Sequence, residues 1–169
     1  MADFKEIKAT DLDFSAFDIK DKWALVTAAK ADGTVNTMTI SWGGLGIMWQ
    51  KDVAFVFIRP QRYTKEFVDE AETLSISFFG EGFKKALAYL GKVSGRDENK
   101  IEKMDLTVKK DNGTPYFEQA ETVLFAKKLY CQAMAGDCFL DESIKSTFFP
   151  DKDYHYMYVV EVIKTISKK

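Results

Sequence analysis

The sequence predicts a mainly β domain, built as a β-barrel with short helices on its surface. Short runs of β-branched and aromatic residues recur along the 169 residues, and the segments between them have the length and pattern of short helices. Strands and helices do not alternate regularly, as they do in parallel α/β folds. Because no repeat, low-complexity tract or linker interrupts the pattern, residues 1–169 are expected to form a single domain.

The first predicted elements are a hairpin, a strand and a helix. "KWALVTAAKADGTVNTMTISWGG" predicts two strands joined at Asp32-Gly33, since Asp-Gly between β-rich runs is a strong hairpin signal. "DVAFVFI" is short and almost wholly apolar, which is typical of a buried strand. In "TKEFVDEAE" two apolar residues among charges predict a short helix with Thr64 as its N-cap.

The next segments predict a strand, an amphipathic helix and a further helical turn. "TLSISFF" alternates apolar residues with serines and predicts a half-buried strand. "EGFKKALAYLGK" places Phe83, Leu87 and Leu90 on one stripe, as expected of an amphipathic helix that ends at Gly91. "SGRDENKIEKM" predicts a further helical turn with Asp97 as N-cap, either at a ligand site or as a capped surface helix with an Asp97–Lys100 pair.

The second half of the chain ends in two long strands. Residues 104–122 contain Asp-Asn-Gly and a proline, so a loop with short strands is expected. "TVLFAKKLYCQAMA" predicts a long strand, "DESIKSTFF" a short helix stopped by Pro150, and "YHYMYVVEVIKTI" the final strand.

The composition is that of a globular protein, with 46% hydrophobic, 14% aromatic and 30% charged residues. The net charge of −2 gives no basic field for nucleic acid. No signal peptide and no membrane span are recognised, so a cytoplasmic protein is expected. Cys131 and Cys138 fit no zinc spacing, and we expect both to be buried, reduced thiols and no metal to be bound.

Three separated loops carry similar polar chemistry. Thr37, Thr39 and Ser41 share one face of a strand that runs into glycines. "IRPQRYT" offers two guanidinium groups and a helix start, and "SGR" repeats the combination of hydroxyl, flexible backbone and positive charge. Such groups suit phosphate oxygens. Each loop taken alone is equally explained as solvated surface.

Four segments in this order resemble a known family. "NTMTISWGGLGIMW", "VAFVFIRPQRYTKEFV", "LGKVSGRDENK" and "DYHYMYVVEV" are similar to the flavin reductase-like proteins with an FMN-binding split barrel, and most of all to the flavoredoxin-like subgroup. The resemblance extends roughly from Trp23 to Val162. It implies a six-stranded Greek-key split β-barrel, a homodimer, and FMN bound near the subunit interface.

The resemblance also assigns residues to the site. His155 matches a histidine that lies near the nicotinamide in related reductases, and is the candidate catalytic residue. The resemblance implies that the other candidates bind the cofactor. Residues of the strand contact the flavin ring and the ribityl chain, and residues of the RP-x-RYT and SGR stretches lie near its polar tail. They are Thr37, Thr39, Ile40, Ser41, Trp42, Arg59, Arg62, Tyr63, Thr64, Ser94, Gly95 and Arg96.

Three functions remain open at this point. The first is an oxidoreductase that accepts hydride from NAD(P)H onto flavin N5 and passes electrons to an acceptor. This is the leading hypothesis. The second, its alternative, is an FMN electron-transfer protein that serves a redox partner protein; it stays open because "TISWGGLGIMW" is bulkier than the serine-threonine pattern of members that reduce free flavin. The third is a barrel without flavin whose loops bind a protein or another anion.

Overall fold

A computed structural model describes residues 3–13, 15 and 17–168. Within these residues, ten strands and five α-helices are joined by short turns, and three of the connections contain a single 3₁₀ turn. The strands are β1 (Lys5–Ile7), β2 (Ala24–Ala29), β3 (Val35–Ile40), β4 (Gly43–Met48), β5 (Lys51–Ile58), β6 (Thr73–Phe78), β7 (Val108–Asp111), β8 (Thr114–Phe117), β9 (Thr122–Ala133) and β10 (Tyr156–Ser167). The helices are α1 (Ile19–Lys22), α2 (Tyr63–Glu70), α3 (Lys84–Lys92), α4 (Lys100–Lys103) and α5 (Glu142–Phe148).

One antiparallel sheet forms the barrel, in the order β3-β2-β6-β9-β10-β5-β4, with β1 added alongside β10. The predicted hairpin is present, and Gly33 adopts a φ of 87° at its turn. The predicted fold class, mainly β with short helices, is confirmed. The sheet has eight strands rather than six, but the buried cluster inside the barrel takes strand residues from only six of them, β2, β3, β5, β6, β9 and β10.

The interior of the barrel is filled by alternate side chains of these strands. Val26, Val56 and Tyr158 meet there, and α2 closes one end by inserting Phe67 and Val68 into the same cluster. Burial of such apolar side chains is the main stabilising contribution to a fold of this kind. Since α2 begins only five residues after β5 ends, the start of this helix is fixed against the barrel.

A second apolar cluster lies on the outside of the sheet. Leu87 and Leu90 of α3 pack there with Phe117 of β8 and Phe125 of β9. The alternating pattern of "TLSISFF" predicts a half-buried strand, and this prediction is wrong. The second cluster covers the outer face of β6, so the strand is buried on both faces. Ser75 is fully buried, and its hydroxyl donates to the Pro115 carbonyl at 2.6 Å.

Several local predictions are wrong in ways that matter for the site. Arg62, not Thr64, is the N-cap of α2, and α3 ends at Lys92 rather than at Gly91. Asn99, not Asp97, caps α4, its side chain accepting from the Glu102 backbone N–H at 3.3 Å.

The two cysteine thiols are also placed differently from the prediction. Cys131 and Cys138 are both exposed and free, because one lies near the end of β9 and the other in a surface turn. In the part of the chain that the structure describes, no helix is long and apolar enough to cross a bilayer, and no group of acidic, histidine and cysteine side chains could hold a metal ion.

Candidate functional site

Two adjoining pockets open where β3 and β5 end and α2 begins. We call the first the slot; its volume is about 150 Å³. We call the second the basin; its volume is about 370 Å³. Met38, Arg59 and Arg62 line both. The slot is further lined by Thr39, Ile40, Ser41, Trp42, Phe57 and His155, and the basin by Asn36, Gln61, Tyr63, Thr64, Lys92, Val93, Ser94, Gly95 and Lys100.

All the sequence-predicted site residues except Thr37 and Arg96 line one of these pockets. The three separated segments of the sequence therefore meet at one place. A larger cavity of about 730 Å³ lies elsewhere on the molecule, beside α3 and the segment that leads to α1. Carboxylates such as Asp11, Asp21 and Glu81 line that cavity, so it is unsuited to an anionic ligand.

The basin holds a half-buried and a buried cation, Arg62 and Lys100. Arg62 donates from Nη1 to the Gly91 carbonyl at 2.8 Å, and burial, reinforced by the nearby charge of Arg59, lowers its pKa. Lys100 is 3% exposed and donates from Nζ to the carbonyls of Leu90 at 2.8 Å and Val93 at 2.9 Å. Burial, followed by the charge of Arg62, lowers the pKa of Lys100 to about 8.

Neither cation forms an ion pair with a carboxylate among residues 3–13, 15 and 17–168; the partners described for Arg62 and Lys100 are neutral carbonyls. A buried charge without a counter-charge costs several kcal/mol. The carbonyls reduce this cost, but they leave the net positive charge of the basin in place. The basin is therefore built to attract an anion.

The rest of the basin is held by close packing between β3, α2 and the loop after α3. Thr64 is buried and its hydroxyl accepts from Asn36 Nδ2 at 3.1 Å. A Cβ on Gly95 would lie 2.4 Å from Asn36 Oδ1, so only glycine allows the loop to approach β3 this closely. The loop thereby places Ser94 at the basin, beside the N-terminal end of α2, where backbone N–H groups favour an anion.

Two of the predicted phosphate-binding arginines are engaged elsewhere. Arg59 donates from Nη1 to Asp153 Oδ2 at 2.5 Å and from Nη2 to the Phe148 carbonyl at 2.7 Å. Arg96 pairs with Glu66 and lies over the Tyr63 ring, with 4.5 Å from its guanidinium carbon to the ring centroid. Arg62 is therefore the arginine whose charge is left for a ligand.

The hydroxyls predicted to face a ligand from β3 are largely used within the protein. Thr37 is fully buried. Its hydroxyl lies 2.9 Å from the Thr27 hydroxyl and donates to the Val26 carbonyl at 2.9 Å. Thr39 lines the slot but donates to the Leu87 carbonyl at 2.5 Å. However, β3 lies at one end of the sheet order and, in the described part of the chain, pairs only with β2, so backbone N–H and C=O groups on its other edge have no strand partner there and can bind a ligand.

The outer wall of the slot is aromatic. Ring centroids of Trp42 lie 5.1 Å from His155 and 5.4 Å from Phe148, and Phe149 stacks edge-on against His155 at 5.4 Å. Burial, together with the charge of Arg59, lowers the pKa of His155 to about 4. The imidazole is therefore neutral at pH 7, and its buried Nδ1 has no hydrogen-bond partner among the described residues.

Sequence reasoning missed Lys100 and Asn36, which line the basin, and Phe148, whose ring packs on Trp42 of the slot. Lysine is rarely buried, and the sequence allowed Lys100 to be interpreted as the partner of Asp97 on a surface helix. Phe148 belongs to a helix that was predicted correctly, but no periodicity indicates that its end lies against Trp42. The signal that could have found Lys100 is its spacing, six residues after Ser94 in the "SGR" segment.

Residues 18–166 match the sequence model described as the flavin reductase like domain. No curated protein matches the chain. Solved structures with a similar fold include flavoredoxin from Methanosarcina acetivorans, 20% identical over 86% of this chain and 68% of that chain, with a TM-score of 0.68.

Two further structures show the same likeness. One is an FMN-binding domain of a flavin reductases-like enzyme from Shewanella baltica OS155, 14% identical over 99% of this chain and 78% of that chain, with a TM-score of 0.70. The other is the styrene monooxygenase flavin reductase from Pseudomonas putida S12, 16% identical over 86% of this chain and 79% of that chain, with a TM-score of 0.63. At these identities the solved structures support the fold.

Proposed function

Because the chain belongs to the flavin reductase-like family, we propose that it is an FMN-binding oxidoreductase that takes reducing equivalents from NADH or NADPH and passes them to an acceptor. The observation that carries the proposal is the pair of cations without a carboxylate partner, the half-buried Arg62 and the buried Lys100, beside a slot lined by aromatic rings. FMN has a phosphate dianion at one end and a flat ring system at the other. The positive charge of the basin suits the phosphate, and the aromatic side chains of the slot suit the ring system.

The residues of the basin bind and orient the cofactor in this proposal. Arg62 and Lys100 hold the phosphate through charge, while Thr64, Ser94 and the first N–H groups of α2 supply hydrogen bonds. The free edge of β3 at Thr39 and Ile40, together with Ser41 and Trp42 that follow the strand, contacts the polar edge of the ring. FMN supplies the redox chemistry when bound, and the protein supplies position and electrostatics.

His155 has a limited role that follows from its surroundings. A group whose pKa is about 4 cannot donate a proton as an imidazolium at pH 7, so His155 is not a general acid there. Its neutral ring can position a reactant by a hydrogen bond through Nδ1, which has no partner among the residues described. We therefore assign His155 to reactant binding.

A second candidate function is an FMN electron carrier that exchanges electrons with a partner protein. It is favoured by the name of one similar structure, a flavoredoxin, and by Trp42, which is 43% exposed at the mouth of the slot. An exposed aromatic at a redox site suits contact with another protein. This candidate needs the same basin and slot but no intrinsic reaction with nicotinamides.

An absorbance spectrum tests both candidates. The purified protein, titrated with FMN, should show a bound-flavin spectrum, and a protein that does not bind FMN would contradict both. Under anaerobic conditions, NADH or NADPH should then bleach the flavin. If neither nicotinamide bleaches it while dithionite does, the electron carrier replaces the reductase.

We also propose that the single domain acts as a cytoplasmic homodimer. Ile47, Trp49 and Tyr130 are exposed apolar residues on β4, the turn after it and β9, and the rings of Trp49 and Tyr130 lie 6.3 Å apart. A second copy would cover them. Light scattering should give twice the chain mass, and Trp49→Glu should give the monomer; a monomeric wild type would contradict the proposal. The free thiols of Cys131 and Cys138 agree with a reducing compartment.

A further inference from the structure

Apolar side chains form an exposed stripe on α5, next to the slot. Ile144 and Phe148 lie one turn apart on the helix and Leu140 lies one turn further back, so the three follow the spacing of a single helix face. We call these three residues the stripe. Leu140 is fully exposed, and Ile144 and Phe148 are 40% and 44% exposed. An apolar surface of this kind marks a contact with another molecule.

The exposure of Leu140 is not explained by the folding of α5. An apolar residue just before a helix N-cap often packs against the fourth helical residue. Asp141 is the N-cap of α5, so Leu140 holds this position, but the fourth residue of the helix is Lys145. The leucine side chain therefore points to a role in binding rather than in capping the helix.

Contacts at both ends of α5 fix the stripe to the barrel. Phe149, which directly follows the helix, is buried, and its ring lies 5.5 Å from that of Phe139 and 5.3 Å from that of Tyr154. Arg59 donates from Nη2 to the Phe148 carbonyl at 2.7 Å. Because the stripe is already held in place, a partner that binds it loses little free energy in ordering the helix.

The stripe leads directly to the slot. The ring of Phe148 meets the ring of Trp42 edge to face, with 5.4 Å between the centroids. Trp42 lines the slot and is itself partly exposed. A protein seated on the stripe would therefore contact the wall of the proposed flavin site without entering it.

The charged residues around the stripe are mainly acidic. Residues 137–152 contain four carboxylates and two lysines, and Lys145 is paired with Glu142 at 2.7 Å. The exposed carboxylates are Asp137, Asp141, Glu142 and Asp151. An apolar centre with an acidic surround is complementary to an apolar centre with a basic surround.

We propose that the stripe, together with Trp42, is the docking surface for a redox protein that accepts electrons and carries lysine or arginine side chains around an apolar contact area. Because the electrons come from bound, reduced FMN, this proposal rests on the proposed function, and it makes the acceptor a protein rather than a small molecule. For a one-electron partner, reduced FMN passes one electron to each of two partner molecules and releases its protons to water.

The probe is ferricytochrome c, a small electron acceptor whose exposed haem edge is surrounded by lysines. Its match is the same cytochrome with succinylated lysines, which has the opposite surface charge. The FMN-loaded protein is reduced anaerobically with dithionite, and cytochrome reduction is followed by stopped flow. At low salt we expect the native cytochrome to be reduced at least tenfold faster than the succinylated form, and this difference should shrink as salt is added.

Two sets of variants locate the surface. Leu140→Asn combined with Ile144→Asn should slow reduction of native cytochrome c at least fivefold, while reduction of ferricyanide, which needs no docking, should change less than twofold. The matched control is Ile163→Asn, which removes an exposed isoleucine from β10 and should change neither rate. Asp137→Lys combined with Asp151→Lys should slow reduction of the native cytochrome and speed reduction of the succinylated one.

The outcomes separate the two proposals. A wild type that binds no FMN overturns the proposed function and removes the electron source of the docking proposal. A loaded wild type that reduces both cytochromes at equal rates overturns the docking surface alone, as does an unchanged rate in the Leu140 and Ile144 variant. If that variant instead converts a dimer to a monomer in light scattering, a second copy of this chain covers the stripe, and the redox partner is overturned.

Discussion

Replacement of Lys100 by methionine tests the origin of the basin's charge. Methionine keeps the length and apolar stem of the side chain but removes the ammonium group. A hydrogen bond to a charged partner contributes roughly 1.5–3 kcal/mol, and about 1.4 kcal/mol corresponds to a factor of ten. The affinity for FMN should therefore fall by about 10-fold to 150-fold. Riboflavin lacks the phosphate, so its affinity should change little.

The effect of pH on the same complex gives a second signature. In the free protein the pKa of Lys100 is about 8, and a phosphate in the basin would raise it because a nearby anion favours the protonated amine. The contribution of Lys100 to affinity is then complete below pH 8 and is lost as the pH rises through the raised pKa of the complex. The phosphate itself, with a pKa near ~6, does not titrate in this range.

Fluorescence titrations of FMN and riboflavin between pH 7 and 10 provide the assay. The matched control is Lys103→Met, which removes an exposed lysine of the same helix that pairs with Glu98. The wild type and this control should both lose FMN affinity above pH 8, and Lys100→Met should not. Equal losses of FMN and riboflavin in Lys100→Met, or an unchanged pH profile, would show that Lys100 does not bind the phosphate.

Three further predictions concern neighbouring residues. Because the pKa of His155 is lowered to about 4, wild-type stability should fall by up to about 3 kcal/mol relative to His155→Gln as the pH drops from 6.5 to 4, measured by urea unfolding. Gly95→Ala should cost about 1–3 kcal/mol by the same assay, since its Cβ would meet Asn36, whereas Gly82→Ala, with open space around it, should cost much less. Arg96→Ala removes an exposed ion pair with Glu66 and the contacts of Arg96 with the Tyr63 ring and the Gln61 carbonyl, and since Arg96 does not line the basin, FMN affinity should change less than fivefold.

Local sequence patterns correctly predicted the elements whose conformation depends on residues close together in the sequence. The hairpin at Asp32-Gly33 formed because Gly33 adopts a φ of 87° that other residues resist. The strand patterns of β5, β9 and β10 were read correctly because apolar and β-branched residues dominate them. Burial of Ser75 was missed because the face it occupies is covered by β8, some 40 residues later in the chain.

The three arginines of the site show where sequence reasoning stops. Arg59, Arg62 and Arg96 carry the same group in similar turns, and local patterns could not rank them. Their environments differ through distant partners, Asp153 for Arg59 and Glu66 for Arg96, separated by 94 and 30 residues. Among the residues that the structure describes, Arg62 donates only to a carbonyl, and that difference leaves its charge available to a ligand.

Because the hydrogen-bond partners of Lys100 are carbonyls, this residue can be buried and still bind an anionic ligand. Its two acceptors, Leu90 and Val93, lie at the C-terminal end of α3, where the helix dipole is negative. They stabilise the ammonium group without neutralising it. A carboxylate in their place would stabilise the free protein more strongly but would compete with the phosphate for the same cation. The fold thus accepts a lowered pKa at Lys100 and keeps a net positive charge in the basin, which is the property that anion binding requires.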